Sequence, residues 1–122
     1  MANLLWVASE RAEAYPLITQ VQKKNHKIHL VNSGKDALLY LSTFTCDVIV
    51  VDAISLRTSG SRICQSLQRS SSQAPILLIT ERSQVEEIAS EILVPPFTSR
   101  KLINRIKKLL PTSRTVSDTS DS

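Results

Sequence analysis

Cysteine, histidine and glycine are scarce in this chain of 122 residues, with two of each, and aromatic residues make up only 4%. Two cysteines and two histidines cannot fill the usual ligand patterns of a structural zinc site. This cysteine usage is typical of a reduced intracellular protein. We therefore predict a cytoplasmic domain with no metal and no cofactor, although the count leaves a disulfide between Cys46 and Cys64 open.

Long apolar runs are also missing, since none approaches the roughly 20 residues that cross a bilayer. The first residues, Met1-Ala2-Asn3, lack the basic start of a secretion signal. We therefore expect neither secretion nor membrane insertion. The length is that of one domain, and 42% hydrophobic with 21% charged residues is an ordinary globular composition.

Short apolar runs alternate with stretches of helical periodicity along the chain. Continuous apolar runs predict strands that are buried on both faces, and one alternating run predicts an edge strand. Strands that alternate with helices predict an α/β fold with a parallel sheet between two layers of helices. The predicted strands cover residues 4–7, 27–31, 47–51, 75–79 and 92–94.

Two stretches near the C-terminal end need separate treatment. Four apolar residues at helical spacing predict an amphipathic helix that ends where the fifth strand starts: Val85, Ile88, Ala89 and Ile92. From residue 111 onward the sequence is rich in Ser, Thr and Asp. We therefore predict one domain over residues 1–110, followed by a disordered tail or the start of an interdomain linker over 111–122.

Functional residues of such sheets gather at the carboxyl ends of the strands. The residues at these ends resemble the receiver domain of bacterial response regulators, a family phosphorylated on Asp by histidine kinases. The run from Asp47 to Asp52 is similar to the family's third strand with its phospho-accepting Asp. Gly60, the run 75–80 that ends in Thr80, and Pro95-Pro96-Phe97 are similar to further family motifs, the last to its Lys-Pro-Phe.

The resemblance implies a flavodoxin-like, doubly wound sheet of five parallel strands in the order 2-1-3-4-5. It also implies that Asp52 occupies the phospho-acceptor position, that Thr80 is the switch hydroxyl, and that the Pro95–Pro96 bond is cis. The interval from Thr80 to Pro95 is shorter than in the family. We therefore expect a shortened region around the helix between strands four and five and around the fifth strand itself.

Two departures from the family concern charge. Ala8 and Ser9 stand where the family has the acidic pair that holds a magnesium ion together with the phospho-accepting Asp, and Pro95 stands where it has Lys. Magnesium needs a nearly octahedral set of oxygens, and phosphoryl transfer depends on charge neutralisation. We therefore predict a pseudo-receiver that works by protein–protein contact without phosphorylation, as the N-terminal regulatory domain of a larger response regulator.

Two other functions stay open: a genuine receiver that is phosphorylated on Asp52, and an input domain that senses a small molecule or redox state. No enzymatic activity is expected. Lys101, Arg105 and Lys108 on the last helix are candidates for docking a protein partner or sister domain. A homodimer is possible through the face formed by that helix, the fifth strand and the helix before it. Nucleic acid is an improbable partner, because no aromatic residues are interleaved with the cations to stack on bases.

Overall fold

The computed structural model describes residues 2–10, 15–70, 72–81 and 88–110. Five strands and four helices follow one another along these residues. The strands are β1 (Asn3–Val7), β2 (Lys27–Val31), β3 (Val48–Asp52), β4 (Ile76–Ile79) and β5 (Glu91–Leu93). The helices are α1 (Tyr15–Gln22), α2 (Gly34–Thr43), α3 (Ser61–Arg69) and α4 (Ser99–Leu109).

All five strands are parallel and lie in the order β2-β1-β3-β4-β5. This confirms the predicted flavodoxin-like sheet, with β3 at its centre. The sequence explains the arrangement, because every residue of β3 and β4 is buried and only strands that are apolar on both faces can occupy such positions. β2 is partly exposed along its length, as predicted for an edge strand.

Alternate side chains of the sheet form two separate cores. Leu4 and Trp6 of β1 point into a cluster that α1 and α4 cover, whereas Leu5 and Val7 point into a cluster that α2 and α3 cover. Each fully buried aliphatic or aromatic side chain stabilises the fold by about 1.5–3 kcal/mol. The two-residue period of a strand therefore makes two helical layers necessary.

Local hydrogen bonds set the ends of the helices. The Ser33 hydroxyl accepts a hydrogen bond of 3.0 Å from the backbone N–H of Asp36 and starts α2. The Thr98 hydroxyl does the same for the N–H of Lys101, at 3.1 Å, and starts α4. After α1, Asn25 adopts a φ of 68°, a left-handed conformation that Asn tolerates and that helices often use to terminate.

The predicted helix through Val85, Ile88, Ala89 and Ile92 is wrong for its described residues. Ile88 and Ala89 are not helical, Ile92 lies within β5, and Val85 lies outside the described residues. The reason is competition from β4: the Ser90 N–H donates to the carbonyl of Ile76, and the Ile76 N–H donates to the Ser90 hydroxyl. The irregular chain at this point buries Ile88 beside α3 without a helical turn.

Three further expectations concern one peptide bond, the residues after 110 and the membrane. The Pro95–Pro96 peptide bond is cis, as predicted. The tail or linker predicted over residues 111–122 lies outside the described residues, so it stays a prediction. None of the helices in the described ranges is long and apolar enough to cross a membrane.

Gly60, the residue that precedes α3, has a φ of 83° and is buried. A Cβ atom there would lie 2.7 Å from Cδ1 of Leu78 and 3.0 Å from Cβ of Ala53. We expect Gly60→Ala to lower the free energy of unfolding by about 1–3 kcal/mol from backbone strain alone, with the overlaps adding to this loss. Urea denaturation measures it. Gly34→Ala is the control, because Gly34 has no positive φ and its nearest side-chain contact would be 3.2 Å; an equal loss in both variants would contradict the prediction.

His26, in the turn between α1 and β2, is half-buried, and neither of its ring nitrogens has a hydrogen-bond partner among the described residues. Burial lowers its pKa below the ordinary 6.5, and neighbouring positive charges, Lys107 among them, lower it further. The folded state therefore favours the neutral ring, whereas the unfolded chain takes up a proton as the pH falls through about 6.5.

The contribution of neutral His26 to the free energy of unfolding is thus expected to be complete above about pH 6.5. It should decrease as the pH falls from there toward the lowered pKa of His26 in the folded state. His26→Gln should flatten this part of the pH dependence, as measured by urea unfolding at about pH 8 and about pH 5. His29→Gln, which removes the other histidine, is the control. A His26→Gln variant that keeps the full acid-side loss would contradict the assignment.

Candidate functional site

Asp52 is the last residue of the central strand and is only 7% exposed. Its carboxylate oxygen Oδ1 accepts a hydrogen bond of 3.1 Å from the backbone N–H of Ser55. Such a bond, across three residues, is the way in which Asp commonly stabilises a turn. The strand end therefore holds Asp52 in a fixed position beneath the loop that follows β3.

Ser55 connects this loop to the loop after β1. Its hydroxyl accepts a hydrogen bond of 2.9 Å from the N–H of Ser9 and lies 3.1 Å from the backbone carbonyl oxygen of Asp52, to which it donates. Ser9 and Asp52, which are 43 positions apart in sequence, are therefore bridged by one hydroxyl group. Neutral hydrogen bonds join the two loops at the place where the sequence resemblance implies a metal ion.

Beside this network is an open, polar cleft of about 560 Å³. Glu10 and Asn32 form one side, where the Asn32 amide donates a hydrogen bond of 2.9 Å to the Glu10 carboxylate. Arg57, which has a φ of 58°, and Ser55 contribute to the other side. Glu10 thus has an amide partner and is turned to the rim of the cleft.

The other predicted site residues lie at the same edge of the sheet but contribute little charge. Ala8 is fully buried and follows Val7, the register partner of Val51. Thr80 is 4% exposed and its N–H donates to the carbonyl of Leu93 at 3.0 Å. Pro95 is exposed and uncharged. The fold brings Ala8, Ser9, Asp52 and Thr80 to neighbouring strand ends, as predicted from the order of the strands.

The magnesium ion that the resemblance implies does not fit the donors at this edge. Magnesium is held by carboxylates, carbonyls and waters in a nearly octahedral set. Ala8 offers a methyl group and Ser9 a hydroxyl where the family has carboxylates. In the described parts of the chain, no three His, Cys, Asp or Glu side chains come close enough together to hold a metal ion.

Both cysteines are free thiols that lie away from this edge. Cys64 is buried in α3 and Cys46 is half-buried before β3, within the core cluster under α2 and α3. Burial raises the pKa of each thiol to about 11, and for Cys46 the Asp47 carboxylate adds to the effect. Because the thiolate is the reactive form, both side chains are chemically quiet near neutral pH, which speaks against the redox-sensing alternative.

The three candidate docking residues on α4 differ in their surroundings. Glu91 of β5 binds two of them, with 2.8 Å to Nη1 of Arg105 and 3.2 Å to Nζ of Lys108. These ion pairs fasten α4 to the edge strand within one chain. Lys101 is exposed, and its backbone N–H donates to the Thr98 hydroxyl that caps α4.

The comparison with protein families decides which family this fold and site represent. Residues 10–107 match the response regulator receiver domain. The chain belongs to this family. The matched segment begins directly after Ala8 and Ser9, so the strand and the two positions that depart from the family's charge pattern precede it.

The chain is also similar to individual signalling proteins. The sensory transduction protein RegX3 of Mycolicibacterium smegmatis is 27% identical over 117 residues, which are 90% of this chain and 51% of RegX3. The response regulator MprA of Mycobacterium leprae is 29% identical over 115 residues, which are 88% of this chain and 50% of MprA. The chain thus spans about half the length of the curated relatives it matches.

Solved receiver structures share the fold. TrrA of Thermotoga maritima, crystallised with Mg²⁺-BeF, gives a TM-score of 0.76 at 24% identity, covering 90% of this chain and 100% of TrrA. The TrrA structure in complex with the histidine kinase ThkA gives a TM-score of 0.74 at 24% identity, covering 90% of this chain and 99% of the matched chain. These likenesses establish the architecture of the receiver fold for this chain.

Sequence reasoning missed two residues that organise the site. Ser55 was detectable in principle, because Asp followed by a hydroxyl residue three positions later at a strand end is a turn pattern. Glu91 was not among the predicted site residues, because local periodicity does not indicate that it faces Arg105 on a different element.

Replacing Ser55 tests whether its hydroxyl joins the two loops. We expect Ser55→Ala to lower the free energy of unfolding by about 1–3 kcal/mol, because two hydrogen bonds are lost at roughly 0.5–1.5 kcal/mol each. The amide of Ser9 should also exchange faster with solvent, since its acceptor is gone. Urea unfolding and NMR-detected hydrogen exchange are the measurements.

Ser59→Ala is the matched control in the same loop, because the Ser59 hydroxyl makes only exposed contacts of 3.3 Å to Ser61. Its effect on stability should stay within about 0.5 kcal/mol. If the Ser9 amide were equally protected in Ser55→Ala and in the unmodified protein, the bridge would have no measurable strength in solution.

Proposed function

We propose that this receiver domain is a pseudo-receiver, a signalling module that acts through protein–protein contact without being phosphorylated. The observation that carries the proposal is the bridge from Ser9 through Ser55 to Asp52. Neutral hydrogen bonds thus join the two loops beside Asp52, where a phospho-acceptor needs a metal cation. Phosphoryl transfer to a carboxylate brings anions together, and catalysis there is mostly charge neutralisation and positioning.

Loss of the three charged positions has a simple energetic consequence. Ala8, Ser9 and Pro95 remove the acidic pair and the lysine that, by family resemblance, would place a metal and an ammonium group around the transferred phosphate. The Thr80 hydroxyl can donate one hydrogen bond, which does not replace those charges. In this proposal Asp52 is a structural residue that fixes the turn after β3, and no residue has a catalytic role.

A second candidate function is a genuine receiver phosphorylated on Asp52. Two observations favour it. Relatives at 27–29% identity carry the names of ordinary signalling regulators, and the chain keeps both Asp52 at the end of the central strand and Thr80 at the end of β4. The two candidates differ in one measurable property, the formation of an acyl phosphate.

Protein partners are common to both candidates. A similar receiver, TrrA, was crystallised with a histidine kinase, and the half-length coverage of RegX3 and MprA supports a place in the N-terminal part of a longer cytoplasmic regulator. For docking, Lys101 is exposed and is not a partner of Glu91, whereas Arg105 and Lys108 both bind Glu91. A homodimer through α4 and β5 would have to form around these existing ion pairs.

Incubation with a small phosphodonor and Mg²⁺, followed by intact-mass analysis, distinguishes the two candidates. We expect no phosphate adduct on the unmodified domain, because Ala8, Ser9 and Pro95 supply neither the acidic pair nor the lysine that would offset the charge building up on the transferring group. A double variant, Ser9→Asp with Pro95→Lys, should form a phosphate adduct, because it restores one acid and the cation. Ser9 is half-buried and Pro95 is exposed.

The controls identify the modified residue. Any adduct on the restored variant should disappear when Asp52→Asn is added and persist when the exposed Asp36 is changed to Asn instead. A stoichiometric, Mg²⁺-dependent adduct on the unmodified domain that Asp52→Asn abolishes would overturn the pseudo-receiver and establish the second candidate.

A further inference from the structure

The outer edge of β2 carries backbone groups that face away from the sheet. β2 is the first strand in the sheet order, and none of its five residues is buried. The N–H of Lys27 and the carbonyl of Val31 form hydrogen bonds of 2.8 and 3.0 Å to the two ends of β1. Because backbone groups of successive strand residues point to opposite edges, the N–H and C=O groups of Ile28 and Leu30 point away from β1. No described strand pairs with them.

A stack of three rings lies beside this edge, on the face that α2 covers. The centroid of the His29 ring is 4.2 Å from that of Tyr40 on α2, and the Tyr40 ring is 5.0 Å from that of Phe44. His29 is exposed, Tyr40 is half-buried and Phe44 is 56% exposed. An unpaired strand edge and an open aromatic surface therefore lie side by side, which is a combination that interaction surfaces use.

Two exposed residues of opposite charge mark the ends of this surface. Asp36 precedes Tyr40 by one helical turn, near the carboxyl edge of the sheet where α2 begins. Lys27 begins β2 at the opposite edge, and it points to the α2 face because it is two residues from His29. At about 3.3 Å per residue, the length of β2 separates the two charges by roughly 13 Å within one chain.

We propose that the outer edge of β2 and the adjacent flank of α2 bind a second copy of this chain, with the two β2 strands antiparallel about a two-fold axis through His29. In this register Ile28 faces Leu30 of the second copy, and each such pair exchanges two N–H···O=C hydrogen bonds. A two-fold interface uses the same surface of both copies, so it must be complementary to itself. The outward groups of residues 28 and 30 meet this condition because they are placed symmetrically about His29.

The side chains on both faces of the strand fit the same arrangement. Ile28 and Leu30 are partly exposed and pack on the core under α1 and α4, so across the axis they form apolar cross-strand pairs. On the other face, α2 packs over β1, which places the two α2 helices about three strand spacings, roughly 14 Å, apart. This gap exceeds the 8–10 Å of directly packed helices, and the rings of Tyr40 and Phe44 from both copies fill it.

Charge complementarity favours a second copy over another partner. In the proposed register, Lys27 lies beside Val31 of the second copy and therefore close to Asp36 of that copy, and the axis repeats this contact. A lysine on an edge strand ordinarily opposes pairing with another strand, but here the second copy supplies the compensating acid. This surface is separate from Asp52 and from the α4–β5 face, so the inference does not depend on whether Asp52 is phosphorylated.

The test begins with the unmodified whole chain. Sedimentation velocity should show a monomer–dimer equilibrium between about 10 μM and about 1 mM, because one short strand and one helix flank make a small interface. In NMR-detected hydrogen exchange, the amides of Ile28 and Leu30 should exchange more slowly as the protein concentration rises, since they gain acceptors in the dimer.

Ile92 supplies a matched control amide on the opposite edge strand. The carbonyl of Leu93 accepts from the N–H of Thr80 at 3.0 Å and so faces β4. The N–H of Ile92, one residue earlier, therefore points away from β4. Its exchange rate should not change with protein concentration.

Charge reversal tests the contact between the copies directly. Lys27→Glu and Asp36→Lys should each weaken dimerisation about tenfold, because each replaces two attractive contacts per dimer by two repulsive ones. The double variant should recover the affinity to within about threefold, since opposite charges face each other again. Lys101→Glu makes the same change of charge on α4 and should leave the dissociation constant within about twofold. A circular dichroism melt checks that each variant is folded.

Several results would overturn the proposal. They are a chain that stays monomeric at all concentrations, single reversals that leave the dissociation constant unchanged, or a folded double variant that does not recover the affinity. Concentration-dependent protection at Ile92 in place of Ile28 and Leu30 would place the dimer at β5 instead. A chain that stays monomeric, but whose Ile28 amide becomes protected by an unrelated strand-forming peptide, would identify the edge as a site for a foreign strand.

Discussion

Burial of the three central strands on both faces is the constraint on which the rest of the structure depends. β1, β3 and β4 have almost no polar side chains within them, so helices must cover both sides of the sheet. Polar groups can then appear only where the strands end. Asp52 and Thr80, the two buried polar residues among those described, both lie at the carboxyl edge. The same requirement that creates the core thus concentrates the possible chemistry in one place.

What happens at that edge depends on how charge is compensated. In this chain the loops after β1 and β3 are joined by the Ser55 hydroxyl, which needs neither an ion nor a charged partner. The ion pairs of Glu91 lie elsewhere, where they join β5 to α4. The contact between the loops therefore does not depend on groups that could stabilise a phosphate. The departures from the family at Ala8, Ser9 and Pro95 weaken the stabilisation of a phosphate more than they weaken the contact between the loops.

Sequence patterns predicted secondary structure correctly where burial and periodicity indicated the same element. They failed where one pattern was compatible with both a helix and a non-helical segment. The strand from Val48 to Asp52 was predictable because a β-branched, continuous apolar run is compatible with few other positions. Ile88 and Ala89 have helical spacing, but Ser90 forms hydrogen bonds with Ile76 and the segment is not helical. The spacing of a few apolar residues gives no information about a hydrogen bond to a strand residue fourteen positions away. Ser55 and Glu91 were overlooked for the same reason, since their partners lie on other elements.

The sequence by itself determined the α/β class, the order of the strands, the position of Asp52 and Thr80 at one edge, and the family to which the chain belongs. The α/β class and the position of the two polar residues at one edge follow from burial and from the geometry of parallel sheets. The strand order and the family were implied by the resemblance of the strand-end motifs to receiver domains. Only the tertiary structure decided that Ser55 bridges the two loops and that Glu91 takes up Arg105 and Lys108. The physical reason is that hydrogen bonds and ion pairs between distant segments depend on distances of a few ångströms, which local periodicity does not contain.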